Sequence, residues 1–194
     1  MIDHVNKLIF IHLEKTGGTS LEKMYTNRDW WWNGIYPLLK NKYHYDNGRI
    51  KHLSYSMSQK FFKSFFNDYK KITIVRHPYS LFISKYFHFN RGSNVNKINE
   101  YDVKRLIRDS NIRWNIKKLH EFLGDKNNYD FVIKFEDYAN DYDRMCKKLN
   151  IKKYELQHLF KSSYDKKKDY LTPKAKNCIK QYANEYAKMF DYKL

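Results

Sequence analysis

The chain has 194 residues, 42% of them hydrophobic and 18% aromatic, with a formal net charge of +17. That length fits one domain able to bury a core without covalent staples, and so much apolar and aromatic material excludes a disordered chain. The charge favours anionic partners, such as nucleic acid, a phosphorylated co-substrate, an acidic glycan or an acidic membrane surface. It chooses none of them, because the excess is mostly lysine in a chain also rich in Asn, Tyr, Ile and Phe.

In chain order, the apolar run Lys7 to His12 reads as a buried parallel strand, followed directly by a glycine-containing loop. Thr19 to about Tyr25 reads as a helix. Trp30 to Asn47 mixes aromatics with Gly34 and Pro37 and reads as a substrate-facing insertion. A short strand is expected at Ile50 to Ser54, and a helix from Ser58 to Asp68 on the spacing of Phe61, Phe62, Phe65 and Phe66. Lys71 to Val75 is a second buried strand, which Arg76-His77-Pro78 ends, and Tyr79 to Phe89 is the next helix. A Gly/Ser/Asn-rich loop covers Arg91 to Asn99. Asp102 to Phe122 is helical with a break near Asn111, and Phe131 to Phe135 is a third buried strand. Asp141 to Leu149 is an amphipathic helix, and Ser162 to Lys168 a basic loop. Pro173 to Phe190 is a closing helix, capped by Thr172 with Pro173 at its first position. Strands alternating with helices predict an α/β domain spanning 1–194, with a central parallel sheet flanked by helices.

Cys146 and Cys178 are too far apart in sequence to suggest a disulfide framework, and the eight histidines show no metal-ligand spacing, so no metal is expected. No apolar run approaches the roughly 20 residues of a membrane span. Met1-Ile2-Asp3-His4 carries no signal-peptide pattern. The expectation is a soluble protein, cytoplasmic or otherwise intracellular, with no membrane span and no specific nucleic-acid partner.

Chemistry concentrates in the loop after the first strand, Glu14-Lys15-Thr16-Gly17-Gly18-Thr19-Ser20. Gly17 and Gly18 let the backbone approach an anion and aim several N–H groups inward. The following helix presents free N–H groups and the positive end of its dipole. Thr19 and Ser20 add hydroxyl donors and Lys15 a full charge. The loop is not the triphosphatase motif, in which Lys follows the glycines and a hydroxyl serves magnesium.

Leu8-Ile9-Phe10-Ile11-His12-Leu13-Glu14-Lys15-Thr16-Gly17-Gly18-Thr19-Ser20 resembles the 5′-phosphosulfate loop of the carbohydrate sulfotransferase families, with Glu14 where those families carry Pro. The resemblance implies a P-loop-like sulfotransferase fold and 3′-phosphoadenosine-5′-phosphosulfate as sulfuryl donor. It also implies a role for Lys15 at the oxygen bridging phosphate and sulfate. Ile72 to Tyr86 resembles the same families' 3′-phosphate motif, with Arg76 at a strand end and Ser84 eight residues on. An Arg suits bidentate phosphate contact, and carboxyl ends of strands are where open α/β sheets bind ligands. His77 departs from the usual Asn/Asp there, and Leu81 from a common Arg.

Arg49 to Ser54 resembles a Lys-His-x-Ser segment found between the two motifs in many small members. His52 is therefore the candidate general base for an acceptor hydroxyl, with Glu14 and Glu136 as alternatives. The resemblance runs on through Asp130 to Asp137, His158 to Ser163, Tyr170 to Pro173 and Tyr182 to Tyr192. It implies a hydroxyl-bearing acceptor, a glycan or small molecule. Two competing readings are a P-loop kinase-like enzyme and a non-catalytic basic module that binds nucleic acid or another polyanion. The first lacks Gly-Lys-Ser/Thr, and the second lacks a nucleic-acid motif.

Overall fold

The computed structural model describes residues 2–25, 52–91, 95–109, 115–155, 164–165 and 168–194. Its elements in chain order are β1 (Ile2–Asp3), β2 (Leu8–Ile11), α1 (Gly18–Tyr25), α2 (Tyr55–Phe61), β3 (Lys70–Val75), α3 (Pro78–Phe89) and α4 (Glu100–Asp109). A 3-10 turn (Ile116–Lys118), α5 (Leu119–Leu123), β4 (Phe131–Lys134), α6 (Tyr138–Leu149) and α7 (Pro173–Met189) follow. The chain divides into two compact units, Met1–Val75 with Leu123–Leu159, and Arg76–Phe122 with Phe160–Leu194.

The first unit is built on a four-stranded sheet in the order β1-β2-β3-β4. β2 pairs with β3 and β3 with β4 in parallel, in registers that set Phe10 opposite Ile72 and Ile74 opposite Ile133. β1 pairs antiparallel with β2, Ile2 opposite Ile9. The sheet is thus mixed, a correction to the wholly parallel sheet expected from the sequence. Only residues 4–7 connect β1 to β2, and a parallel return needs a crossover of a dozen or more residues. Asp3 holds that turn by accepting the Val5 and Asn6 backbone N–H groups at 2.9 and 3.1 Å. A two-residue strand shows no periodicity, so β1 left no trace in the pattern.

Alternation along the strands sends Leu8, Phe10, Ile72, Ile74 and Ile133 to one face. Leu21 and Tyr25 of α1 and Tyr142, Met145, Cys146 and Leu149 of α6 close over them as one buried cluster. The α6 set repeats at three and four residues, one stripe of a 3.6-residue helix. All four β2 residues are buried, as expected of a strand covered on both faces.

Two expectations in this unit are corrected. Among the described residues, 52–54 form no strand, because Ser54 instead caps α2 and accepts the Met57 N–H at 3.3 Å. The helix expected at 58–68 lies earlier, at Tyr55–Phe61. The four-residue phenylalanine spacing survives in a single turn, in which Phe66 N–H donates to the Phe62 carbonyl at 2.8 Å. Asn67 and Asp68 follow, residues whose side chains compete with helical backbone bonds. The Trp30 to Asn47 segment, and most of the Ser162 to Lys168 loop, lie outside the described residues.

The second unit is helical. α7 packs on α3, α4 and the 3-10 turn, burying Ala175, Cys178, Ile179, Ala183, Tyr186 and Ala187. Thr172 caps it as read from sequence, its hydroxyl oxygen accepting the Ala175 N–H at 3.2 Å with Pro173 at the first position. Among the described residues no helix is long and apolar enough to cross a membrane.

Ile74 is fully buried between α1, α6 and the neighbouring strands. Ile74→Ala is expected to cost about 2–5 kcal/mol. The check is a lower urea midpoint at unchanged m-value; an unchanged midpoint would show that this face is not the core.

Candidate functional site

The phosphate-type loop is made by a tight reversal between β2 and α1. Lys15 and Gly17 both adopt left-handed dihedrals, φ 66° and 81°. For Lys15 such a conformation costs about 1–2 kcal/mol, a strain that clusters at functional sites. Thr16 lies between them, fully buried, and its hydroxyl donates to the Leu13 carbonyl at 2.7 Å. Ser20 N–H then donates to the Gly17 carbonyl at 3.1 Å and opens α1. The N–H groups of the first helical turn have no acceptor within a helix and point out of its end.

The two glycines are needed for different reasons. Gly17 has the positive φ. At Gly18 a Cβ would lie 2.5 Å from the His12 ring and 2.7 Å from Phe10 Cζ, so the ring of His12 rests directly on the start of α1.

His12 ends β2 and is held there twice. Its ring stacks on Phe10 at 5.0 Å between centroids, and its Nδ1 donates to Glu22 Oε1 at 2.9 Å. The His52 ring lies 4.3 Å from it. His52 Nδ1 is 2.9 Å from the His12 carbonyl oxygen, which can only accept. The proton of neutral His52 is therefore on Nδ1, and the lone pair is on Nε2. Glu14 Oε1 lies 3.7 Å from that Nε2. His52 is 13% exposed and Glu14 6%.

Arg76 and Ser84 belong to the second unit, while Lys15 to Ser20 and His52 belong to the first. Arg76 follows β3 and is pinned at its backbone by Tyr186, whose hydroxyl accepts the Arg76 N–H and donates to the Arg76 carbonyl, both at 2.9 Å. Its guanidinium donates to Ser80 Oγ at 3.0 Å and to Tyr164 Oη at 3.2 Å. Ser84 lies on α3, largely buried. His77 caps that helix, its Nδ1 accepting the Tyr79 N–H at 3.3 Å while Nε2 donates to the Lys193 carbonyl at 3.0 Å. An imidazole thus does the capping expected of the Asn or Asp that the sequence resemblance has at this position.

The profile of the sulfotransferase family matches residues 1–189. This chain belongs to the sulfotransferase family. No curated protein and no solved structure matches it.

The residues around the loop of this sulfotransferase suit an anion. Backbone N–H groups, the Lys15 ammonium and the Thr19 and Ser20 hydroxyls all donate. Phe135 and Tyr138 wall the loop at Gly17, 3.2 and 3.6 Å from where a Cβ would sit. The Tyr138 hydroxyl is buried without a hydrogen-bond partner among the described residues. Burial first, and Tyr142 second, push its pKa well above the usual phenol value, so it remains an O–H donor at neutral pH. Among the described residues no three His, Cys, Asp or Glu side chains are grouped so as to hold a metal ion.

Sequence reasoning assigned no role to His12, Glu22, Tyr164 or Tyr186. For Glu22 the spacing Thr19-x-x-Glu22 suggests only a capping box. The better signal is that a helix returning over its own strand brings its second turn beside the strand end. Tyr186 lies in the closing tyrosine-rich helix, where nothing local marks one tyrosine from the next.

Helix propensity alone makes Gly18→Ala stabilising by about 0.5–1 kcal/mol. The close approach of His12 and Phe10 reverses that sign, and the expected outcome is a loss of about 1–3 kcal/mol. Denaturant midpoints check it, and a stabilised variant would show that the His12 ring does not rest on this residue.

Proposed function

We propose that this protein transfers a sulfuryl group from 3′-phosphoadenosine-5′-phosphosulfate to an acceptor hydroxyl, with a carbohydrate as the acceptor class, and that residues 1–194 work as one P-loop-like sulfotransferase domain. The observation that carries the reading is the loop itself. Two left-handed residues around a buried threonine lead into a helix start, and His52, whose Nδ1 donates to the His12 carbonyl, lies beside it. Family membership supports the chemistry, and the Arg76 to Ser84 spacing supports a second phosphate site.

In this reading Lys15, Thr16, Gly17, Gly18, Thr19 and Ser20 hold the 5′-phosphosulfate end. Lys15 and the loop amides neutralise charge that builds on the bridging and sulfate oxygens, an electrostatic preorganisation effect. Arg76 and Ser84 hold the 3′-phosphate, and that remote binding positions the reacting end. His52 takes the acceptor proton at Nε2. The donor supplies an activated sulfate whose leaving group is a phosphate.

Lys15→Ala is expected to lower kcat about 10²–10³-fold, and His52→Ala about 10²–10⁴-fold, with both variants still folded by circular dichroism. Transfer of radiolabelled sulfate to a panel of glycans, peptides and small alcohols measures both effects and identifies the acceptor. Retained turnover in either variant removes that residue from the mechanism. Adenosine 3′,5′-bisphosphate without magnesium is expected to raise the melting temperature more than ATP with magnesium or an oligonucleotide. The opposite ranking favours the kinase-like or nucleic-acid-binding reading.

A further inference from the structure

Tyr138 opens α6, three residues beyond Phe135 at the end of β4. Its ring packs against the buried cluster that β2, β3, β4, α1 and α6 share. It also meets the phosphate-type loop, with Cε2 3.6 Å from where a Gly17 Cβ would sit. Because Gly17 carries no side chain, the rings of Tyr138 and Phe135 close on loop backbone. The Tyr138 hydroxyl stands on the ring carbon next to Cε2, so covalent geometry keeps it close to the loop.

That hydroxyl is buried and makes no hydrogen bond among the described residues. Its helical neighbour Tyr142 is engaged elsewhere, with the Tyr25 hydroxyl at 3.1 Å and with the Tyr154 N–H, which it accepts at 2.9 Å. A buried donor without a partner carries its whole desolvation cost, which a phenylalanine of the same shape would avoid. Such groups are rare in folded proteins and call for a partner that the free protein lacks. Burial, and Tyr142 after it, keep the phenol protonated at neutral pH. What it lacks is therefore an acceptor. The loop beside it has its Leu13 and Gly17 carbonyls taken by Thr16 and Ser20. Its other polar groups, the Lys15 ammonium and the loop amides, are donors that attract an anion.

We propose that the Tyr138 hydroxyl donates a hydrogen bond to the 5′-phosphate of the sulfuryl donor, which makes Tyr138 a further binding residue at the loop. This rests on the reading that Lys15 to Ser20 hold the donor's 5′-phosphosulfate end. A hydrogen bond to an ionised oxygen is stronger than a neutral one, and stronger again where water is excluded. Because the hydroxyl is covered in the free protein, the bond forms together with a small shift of the loop at Gly17, where no side chain wedges the backbone in place. The phenol keeps its proton throughout. The 5′-phosphate stays on adenosine 3′,5′-bisphosphate after transfer, so the same bond holds donor and product.

Tyr138→Phe removes the hydroxyl and keeps the ring. Calorimetric titration of the full chain with adenosine 3′,5′-bisphosphate is expected to show about 10–100-fold weaker binding in this variant. Adenosine 3′-monophosphate, which has no 5′-phosphate, is expected to bind both proteins equally. The free variant is expected to melt at the wild-type temperature or above it, because it loses an unpaired buried hydroxyl. Equal affinity of the two proteins for adenosine 3′,5′-bisphosphate overturns this inference and leaves the loop reading standing. An equal loss for both nucleotides, or a lowered melting temperature, assigns the hydroxyl a structural role and overturns the inference as well. If Lys15→Ala also binds adenosine 3′,5′-bisphosphate as the wild type does, the loop reading itself falls.

Discussion

Thr16 is the pivot of the site. Its side chain is completely buried and its hydroxyl donates back to the Leu13 carbonyl, between the left-handed residues Lys15 and Gly17. Within these few residues the end of a buried parallel strand becomes the start of a helix. The strain at Lys15 is offset by the sheet and helix packing on both sides, where Phe10, Leu21 and Tyr25 share one core cluster.

The same reversal organises the imidazoles. Because α1 runs back over β2, Glu22 meets His12 at the strand end, and the His12 ring fills the space that only a glycine leaves at position 18. The His12 carbonyl accepts from His52. A tautomer, a ring orientation and a nearby carboxylate are therefore set by main-chain geometry more than by side-chain choice. At the loop entry, where the resembled families carry Pro, the Glu14 carboxylate lies 3.7 Å from His52 Nε2.

In the second unit, Arg76 is held by backbone as well as side chain. Tyr186 satisfies both the N–H and the carbonyl of Arg76, groups that would otherwise be lost where the strand ends and Pro78 begins the helix. Ser80 and Tyr164 receive the guanidinium N–H groups. His77 takes over helix capping. Departures from the family pattern at this motif thus change the chemistry of the cap without removing it.

The local parts of the structure were legible in the sequence because their causes are local. Apolar runs marked β2, β3 and β4, glycines marked the turn from β2 into α1, and Thr172-Pro173 marked the start of α7. Periodicity misled where one turn imitates a helix, at Phe62 and Phe66, and was silent for the two-residue β1 that makes the sheet mixed. Residue types and spacing alone determined the loop Lys15 to Ser20, the candidates His52, Arg76 and Ser84, and the family these belong to. Only the tertiary structure decided that His12 and Glu22 meet, that His52 presents Nε2, that Glu14 faces it, and that Tyr186 holds Arg76. Those contacts join residues up to 110 positions apart, and no pattern along the chain encodes which side chains come together once the sheet and helices have packed.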